Sequence, residues 1–86
     1  MKPPQLSTVM RTMGEKLPHG ELVQIRSFVL GQYSRDNTIA VGVYAETCQW
    51  WIEEKGATVA YIMGMDRKRF MKKAREIHAR YVEAAE

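Results

Sequence analysis

Cysteine is almost absent from the sequence, and its scarcity limits the chemistry that the chain can support. The 86 residues include one cysteine, Cys48. A single thiol excludes an internal disulfide bond and a cysteine-based metal cluster, and it suits a reducing compartment such as the cytosol. Because Cys48 lies on an apolar stripe, we interpret it as a small buried hydrophobic residue and not as a nucleophile.

Long apolar runs and catalytic constellations are also missing. The longest apolar run, Ile39–Ala45, is far too short to cross a bilayer, and no secretory signal is visible at the start. His19 and His78 have no third ligand at metal-binding spacing. The sequence contains no Ser/His/Asp set, no paired inward carboxylates and no glycine-rich phosphate loop. These absences argue against an enzyme, a metal site or any other cofactor, and against a membrane protein, and they predict a complete cytoplasmic chain.

The composition that is present fits one small globular domain with an uneven charge distribution. Hydrophobic residues make up 45% and charged residues 27% of the chain, which predicts a single domain over residues 1–86. Residues 1–64 carry six basic and six acidic side chains. Residues 65–86 carry seven basic and four acidic side chains, which is the whole net charge of +3. A neutral body with one basic terminal segment is typical of a polyanion-binding surface, and it is equally consistent with a solvated helix face.

The spacing of apolar residues predicts an all-α fold, a small helical bundle. The expected helices are 7–17 with Ser7 as its cap, 21–34, 38–55, 57–63 and 66–85. The expected breaks are Pro18-His19-Gly20, Arg35–Thr38, Gly56 and Gly64-Met65. Residues Met1–Gln5, with Pro3-Pro4, are expected to be extended and poorly ordered.

One segment of the sequence fits both a strand and a helix. Ile39, Val41 and Val43 alternate and are β-branched, as in a strand. A longer apolar stripe from Val41 to Ile52 follows helical spacing over three turns. Because the helical pattern accounts for more residues, we predict a helix over 38–55.

The last two predicted helices have the sequence pattern of a helix-turn-helix. Ala60 is the small residue that such a motif needs where its second helix crosses the first. Gly64 can take a positive φ at the turn, and Asp66 can cap the second helix. Phe70 begins an inward stripe on that helix, which continues with Ala74, Ile77 and Tyr81. Apolar contacts across the turn are expected from Val59, Met63, Met65 and Phe70.

Six basic side chains on the final helix are the candidate DNA contacts. They are Arg67, Lys68, Arg69, Lys72, Lys73 and Arg75. Arg67 and Arg69 lie in the first turn, the part of a recognition helix that reaches base edges, and arginine can pair bidentately with guanine. The candidates for phosphate contacts are Lys72, Lys73 and Arg75. The outward stripe of the helix is expected to consist of Lys68, Lys72 and Arg75.

One run in this sequence resembles the C-terminal helix-turn-helix of the factor for inversion stimulation. The same motif is found in the domains that close many bacterial enhancer-binding activators. That run is Ala60-x-x-Met63-Gly64-Met65-Asp66-Arg67-x-x-Phe70-x-Lys72-Lys73-x-Arg75. The resemblance implies DNA contacts from Arg67, Lys72, Lys73 and Arg75. It also implies a homodimer in which residues 5–55 form the core and dimer contact, residues 57–85 form the helix-turn-helix, and helix 66–80 enters the major groove of double-stranded DNA.

Two adjacent tryptophans give a separate argument for self-association. Neighbouring helical residues point about 100° apart, so one of Trp50 and Trp51 can enter the core while the other stays nearer the surface. A surface tryptophan beside Tyr44 would be a good interface anchor. The alternative is that a small bundle buries both rings.

These observations predict a small DNA-binding protein, either a transcriptional regulator or an architectural factor, of a bacterium, phage or mobile element. The alternative is a small protein-interaction module that binds and modulates a host regulator or nuclease through its basic helix and its Met and Trp residues. RNA binding is a third possibility, and the scarcity of aromatic residues among the basic ones argues against it.

Overall fold

The apolar residues that follow helical spacing in the sequence lie in helices in the described part of the chain. The structure, a computed structural model, describes residues 4–32 and 38–85, and the side chains of 4–31 and 39–81. Within these ranges the chain forms five α-helices and no strand, which confirms the all-α prediction. The helices are α1 (Leu6–Gly14), α2 (His19–Gln32), α3 (Thr38–Lys55), α4 (Val59–Met63) and α5 (Arg67–Ala85).

The predicted starts of the first two helices were wrong. Ser7 does not cap α1, because the N-cap residue is Gln5 and Ser7 already lies in the first turn. Helix α2 begins at His19 and not at Glu21, so His19 and Gly20 belong to the helix and not to the break before it. The Pro18 carbonyl accepts hydrogen bonds from the N–H groups of Glu21 and Leu22 and so forms part of the first turn. A proline fits this place since the first residues of a helix need no N–H partner. The predicted α2 end at Ser34, the turn at 35–37 and the disorder of residues 1–3 lie outside the described residues.

Helix α3 is the central element of the bundle, and the ambiguous segment 38–44 is its first part. Helices α1, α2, α4 and α5 all pack against it. The predicted stripe is buried, except that Tyr44 and Ile52 are half-buried, and residues outside the stripe such as Val43 and Thr47 are buried as well. Because neighbours surround α3, a polar side chain also had to be accommodated: the Thr47 hydroxyl donates to the Val43 carbonyl oxygen over 2.8 Å, which satisfies it inside the core.

Cys48 is fully buried in the core, as predicted. Burial raises the pKa of its thiol to about 12, because the low-dielectric interior disfavours the charged thiolate. The thiol is therefore protonated at neutral pH, which agrees with its interpretation as a small hydrophobic residue.

A glycine allows the N-terminal segment to lie against α3. Gly42 is buried, and a β-carbon at this position would stand 1.8 Å from the carbonyl oxygen of Pro4. No side chain fits in that gap. The contact explains why a glycine is found within a central helix, where it is otherwise unfavourable.

Helix α3 ends where the sequence predicts, at Gly56. This residue has a φ of 64°, a conformation that favours glycine. Its N–H donates to the Ile52 carbonyl and the N–H of Ala57 donates to the Trp51 carbonyl, so carbonyls of the last helical turn keep partners. Thr58 then caps α4 by accepting a hydrogen bond from the Tyr61 N–H. In the described part of the chain, no helix is both long and apolar enough to cross a membrane.

Candidate nucleic-acid interface

Helix α5 is fixed to the bundle by the predicted inward stripe. Phe70, Ala74 and Ile77 are 1–2% exposed. The Phe70 ring packs edge-on against the Phe28 ring at a centroid distance of 5.6 Å and lies 6.2 Å from the Tyr44 ring. These contacts tie α5 to both α2 and α3, so the outer face of α5 has a defined orientation.

The far end of the stripe is held by a polar contact. Tyr81 is half-buried and its hydroxyl donates a hydrogen bond to Glu46 on α3. Burial raises the pKa of Tyr81 to about 12, and the hydrogen bond to the Glu46 carboxylate acts in the same direction. The phenol therefore remains a donor at neutral pH, and it anchors the C-terminal half of α5.

The predicted outward stripe of α5 is exposed to solvent. Lys68, Lys72 and Arg75 all lie on the surface, as does Arg67 in the first turn. The three stripe residues are spaced at i, i+4 and i+7, so they follow one face of the helix over roughly 10 Å. Over its whole length α5 carries seven basic and two acidic side chains. We call Lys68, Lys72 and Arg75 the basic face.

Arg69 does not belong to the basic face, because its guanidinium turns back towards aromatic rings. The Arg69 Cζ atom lies 5.0 Å from the centroid of the Trp51 ring and 5.5 Å from that of the Tyr61 ring. Its Nη1 also donates a hydrogen bond to the Tyr61 hydroxyl. Arg69 thus links α5 to α3 and α4, a favourable cation–π arrangement.

Lys73 makes a second link of the same kind. Its Nζ atom lies 4.0 Å from the centroid of the Trp50 ring on α3. The same ammonium pairs with Glu76, and its hydrogen bond and charge lower the pKa of that carboxyl. The Lys73 side chain is only 20% exposed. The charge of Arg69 and Lys73 predicted DNA contacts, and no local spacing indicates that both side chains lie against the Trp51 and Trp50 rings of α3.

These links make a testable prediction about stability. Replacing Arg69 with Gln should lower the free energy of unfolding by about 1–2 kcal/mol, because it removes an exposed cation–π contact and a hydrogen bond. Urea denaturation followed by tryptophan fluorescence measures the change. Lys68→Gln is the matched control on the basic face, and it should stay within about 0.5 kcal/mol of the parent chain. Equal effects of the two changes would contradict the assignment of Arg69 to this contact.

Three of the predicted motif residues do not have the expected roles. Ala60 is exposed, and α4 packs on α2 and α3, so Ala60 is not the small residue beneath a crossing helix. Gly64 has φ −94° and ψ 1°, not a positive φ. Met63 is 47% exposed and so does not tie the two helices together, whereas Val59 is buried. The short length of α4, five residues, leaves it too small to bury a full helix face.

The other motif residues lie as predicted. The Asp66 carbonyl accepts a hydrogen bond from the Phe70 N–H over 3.1 Å, which places Asp66 at the N-cap position of α5. Phe70 is buried, and Met65 between the helices is half-buried. Asp66 and Phe70 therefore lie at the start and on the buried side of α5, as predicted.

The aromatic residues predicted as interface anchors have partners within the chain. Trp51 is 8% exposed and belongs to the core, while Trp50 is half-buried, so the prediction that one ring enters the core is confirmed. The burial of Trp51 removes it as an exposed anchor. Tyr44 is half-buried beside Phe70, and Trp50 lies against Lys73. Their main contacts hold α3 and α5 together.

Comparisons with known proteins identify no relative of this chain. No protein-family model matches the chain, and no curated protein sequence and no solved structure shows significant similarity to it. The helix-turn-helix resemblance therefore stays a prediction from the residues themselves.

Proposed function

We propose that this chain binds double-stranded DNA through α5. The observation that carries the proposal is the basic face, three cationic side chains in a row on a helix whose opposite side is buried. Because the helix that carries this row is packed on the bundle, its backbone can lie along a phosphate backbone without refolding, and the entropy lost on binding is mainly that of the side chains.

The roles of the basic residues in this proposal follow from their positions. Lys68, Lys72 and Arg75 contact phosphates from the exposed face of α5. Arg67, in the exposed first turn, reaches towards base edges in the major groove. Arg69 and Lys73 contribute positive potential but act mainly on the position of α5, because their side chains contact Trp51 and Trp50. The finer arrangement, a homodimeric helix-turn-helix protein acting as a regulator or architectural factor, belongs to the same proposal.

The salt dependence of binding tests the proposal directly. Lys68→Ala and Lys72→Ala should each weaken binding to a labelled DNA duplex in a fluorescence anisotropy titration. Each change should also flatten the plot of log affinity against log salt concentration by about 0.9, since one fewer counterion is released per lost phosphate contact.

A charge-matched control separates contact from net charge. Arg26 is exposed on α2, a different helix from the one that carries the basic face, so Arg26→Ala removes one positive charge without removing a proposed contact. Its salt slope should equal that of the parent chain. If Lys68→Ala and Lys72→Ala leave both affinity and slope unchanged, or if the parent chain does not bind duplex DNA at low salt, the proposal is wrong.

A further inference from the structure

A groove separates the N-terminal half of α3 from one side of α5. Its volume is about 550 Å³. The floor and walls are mainly apolar and consist of Ile39, Ala40, Val43, Tyr44, Met71, Ala74 and Ala79. Ile39 is 50% exposed, which is costly for a large aliphatic side chain beside further apolar surface. The groove therefore offers apolar area that a partner can cover.

Polar groups of α5 lie at the border of the groove. Among the described residues that line it, Arg75 is the charged side chain, and the imidazole of His78 can donate a hydrogen bond; both residues are exposed. They are three positions apart on α5, so they neighbour each other along the same edge. The α5 wall from Met71 to Ala79 is roughly 12 Å long, which matches about two turns of a docked helix.

We propose that this groove docks an acidic amphipathic helix of a partner protein. Apolar side chains at i, i+4 and i+7 of the partner would cover Ile39 and Met71, in the manner of helix-in-groove recognition. Carboxylates on the flank of that helix would pair with the Arg75 guanidinium, which supplies the charge complementarity, and would accept a hydrogen bond from His78. A second copy of this chain is a poorer occupant, because a two-fold interface would place the same two basic edges near each other.

Occupancy of the groove would also act on DNA binding, and this consequence rests on the proposed function above. Arg75 belongs both to the basic face and to the edge of the groove. A carboxylate paired with Arg75 would occupy a proposed phosphate contact and would place negative charge one turn from Lys72. The partner helix should therefore weaken DNA binding without covering the whole of α5.

A synthetic peptide tests docking without reference to DNA. The probe is an amphipathic helical peptide with leucines at i, i+4 and i+7 flanked by glutamates. The control peptides are a scrambled peptide of equal composition and a version with lysines in place of glutamates. Titrated into the ¹⁵N-labelled chain, the acidic peptide should shift the amide signals of Ile39, Met71 and Ala79, and neither control should do so.

Two matched variants locate the site. Ile39→Asp places a charge on the apolar wall and should lower the affinity for the acidic peptide at least about tenfold. Val23→Asp changes an equally exposed apolar residue, 49% exposed on α2, and should leave the affinity unchanged. Equal losses from both variants, or equal binding of the scrambled peptide, would overturn the proposal. Sedimentation provides a further check. A dimer of the parent chain that is lost in Ile39→Asp would also overturn the proposal, because a second copy of the chain would then occupy the groove.

A competition experiment then separates the two proposals. Saturating acidic peptide should lower the affinity for the DNA duplex, and it should do so less when Arg75 is replaced by Ala. If the chain binds the peptide but no DNA, the proposed function fails and the docking site stands. If it binds DNA but not the peptide, the docking site alone is wrong.

Discussion

Replacing Phe70 with Ala is expected to lower the free energy of unfolding by about 3–5 kcal/mol. The ring is 2% exposed and contacts Phe28 and Tyr44, so the change opens a cavity at the junction of three helices. Small domains have total stabilities of roughly 5–15 kcal/mol, and the loss is a large fraction of that. Urea denaturation followed by far-ultraviolet circular dichroism measures it.

The control for this change is a truncation of similar chemistry at the surface. Met63 is 47% exposed on α4, and Met63→Ala should stay within about 0.5 kcal/mol of the parent chain. Phe70→Leu, which fills part of the cavity, should fall between the two. If Phe70→Ala costs no more than Met63→Ala, Phe70 does not fasten α5 to the bundle.

Gly42→Ala is expected to destabilise the chain by about 1–3 kcal/mol, although alanine is ordinarily the better helix former. The added methyl group would stand 1.8 Å from the Pro4 carbonyl oxygen, and that oxygen belongs to backbone and not to a flexible side chain. Relief requires the N-terminal segment to move away from α3. Thermal and urea denaturation both report the loss.

Gly31→Ala is the control, and its expected effect on the free energy of unfolding has the opposite sign. Gly31 lies in α2, and a β-carbon there would meet nothing within 4 Å. Gly31→Ala should therefore be neutral or stabilising by up to about 1 kcal/mol, because it only restricts the unfolded chain and favours the helix. Two glycine-to-alanine changes of the same sign would contradict the close contact between Pro4 and Gly42.

Much of the architecture could be predicted because local sequence signals agree with the tertiary structure. Gly56 ends α3 with a positive φ, as its position after a long apolar stripe indicates. The stripe from Phe70 to Tyr81 identifies the buried side of α5, since one helix face packs on one surface. The basic face follows from the same periodicity, because Lys68, Lys72 and Arg75 lie opposite that stripe.

The remaining features depend on contacts between residues far apart in the chain. The burial of Val43 and Thr47 results from α3 being surrounded, which an amphipathic stripe does not reveal. Arg69 and Lys73 carry the positive charge that DNA contacts need. Only the tertiary structure shows that they also pack on the rings of Trp51 and Trp50 and hold α5 to α3. The exposure of Ala60 follows from α4 packing on α2 and α3, a choice of neighbour that local spacing does not encode.

The burial of Cys48 makes the sequence's one thiol a reporter of how often the bundle opens. A thiol-specific reagent cannot reach a fully buried sulfur whose pKa is about 12, so labelling requires α3 to separate from its neighbours. The labelling rate in native buffer thus measures opening around α3 without denaturant. Each variant discussed above can be compared in this way, with no added probe and with Cys48 itself unchanged.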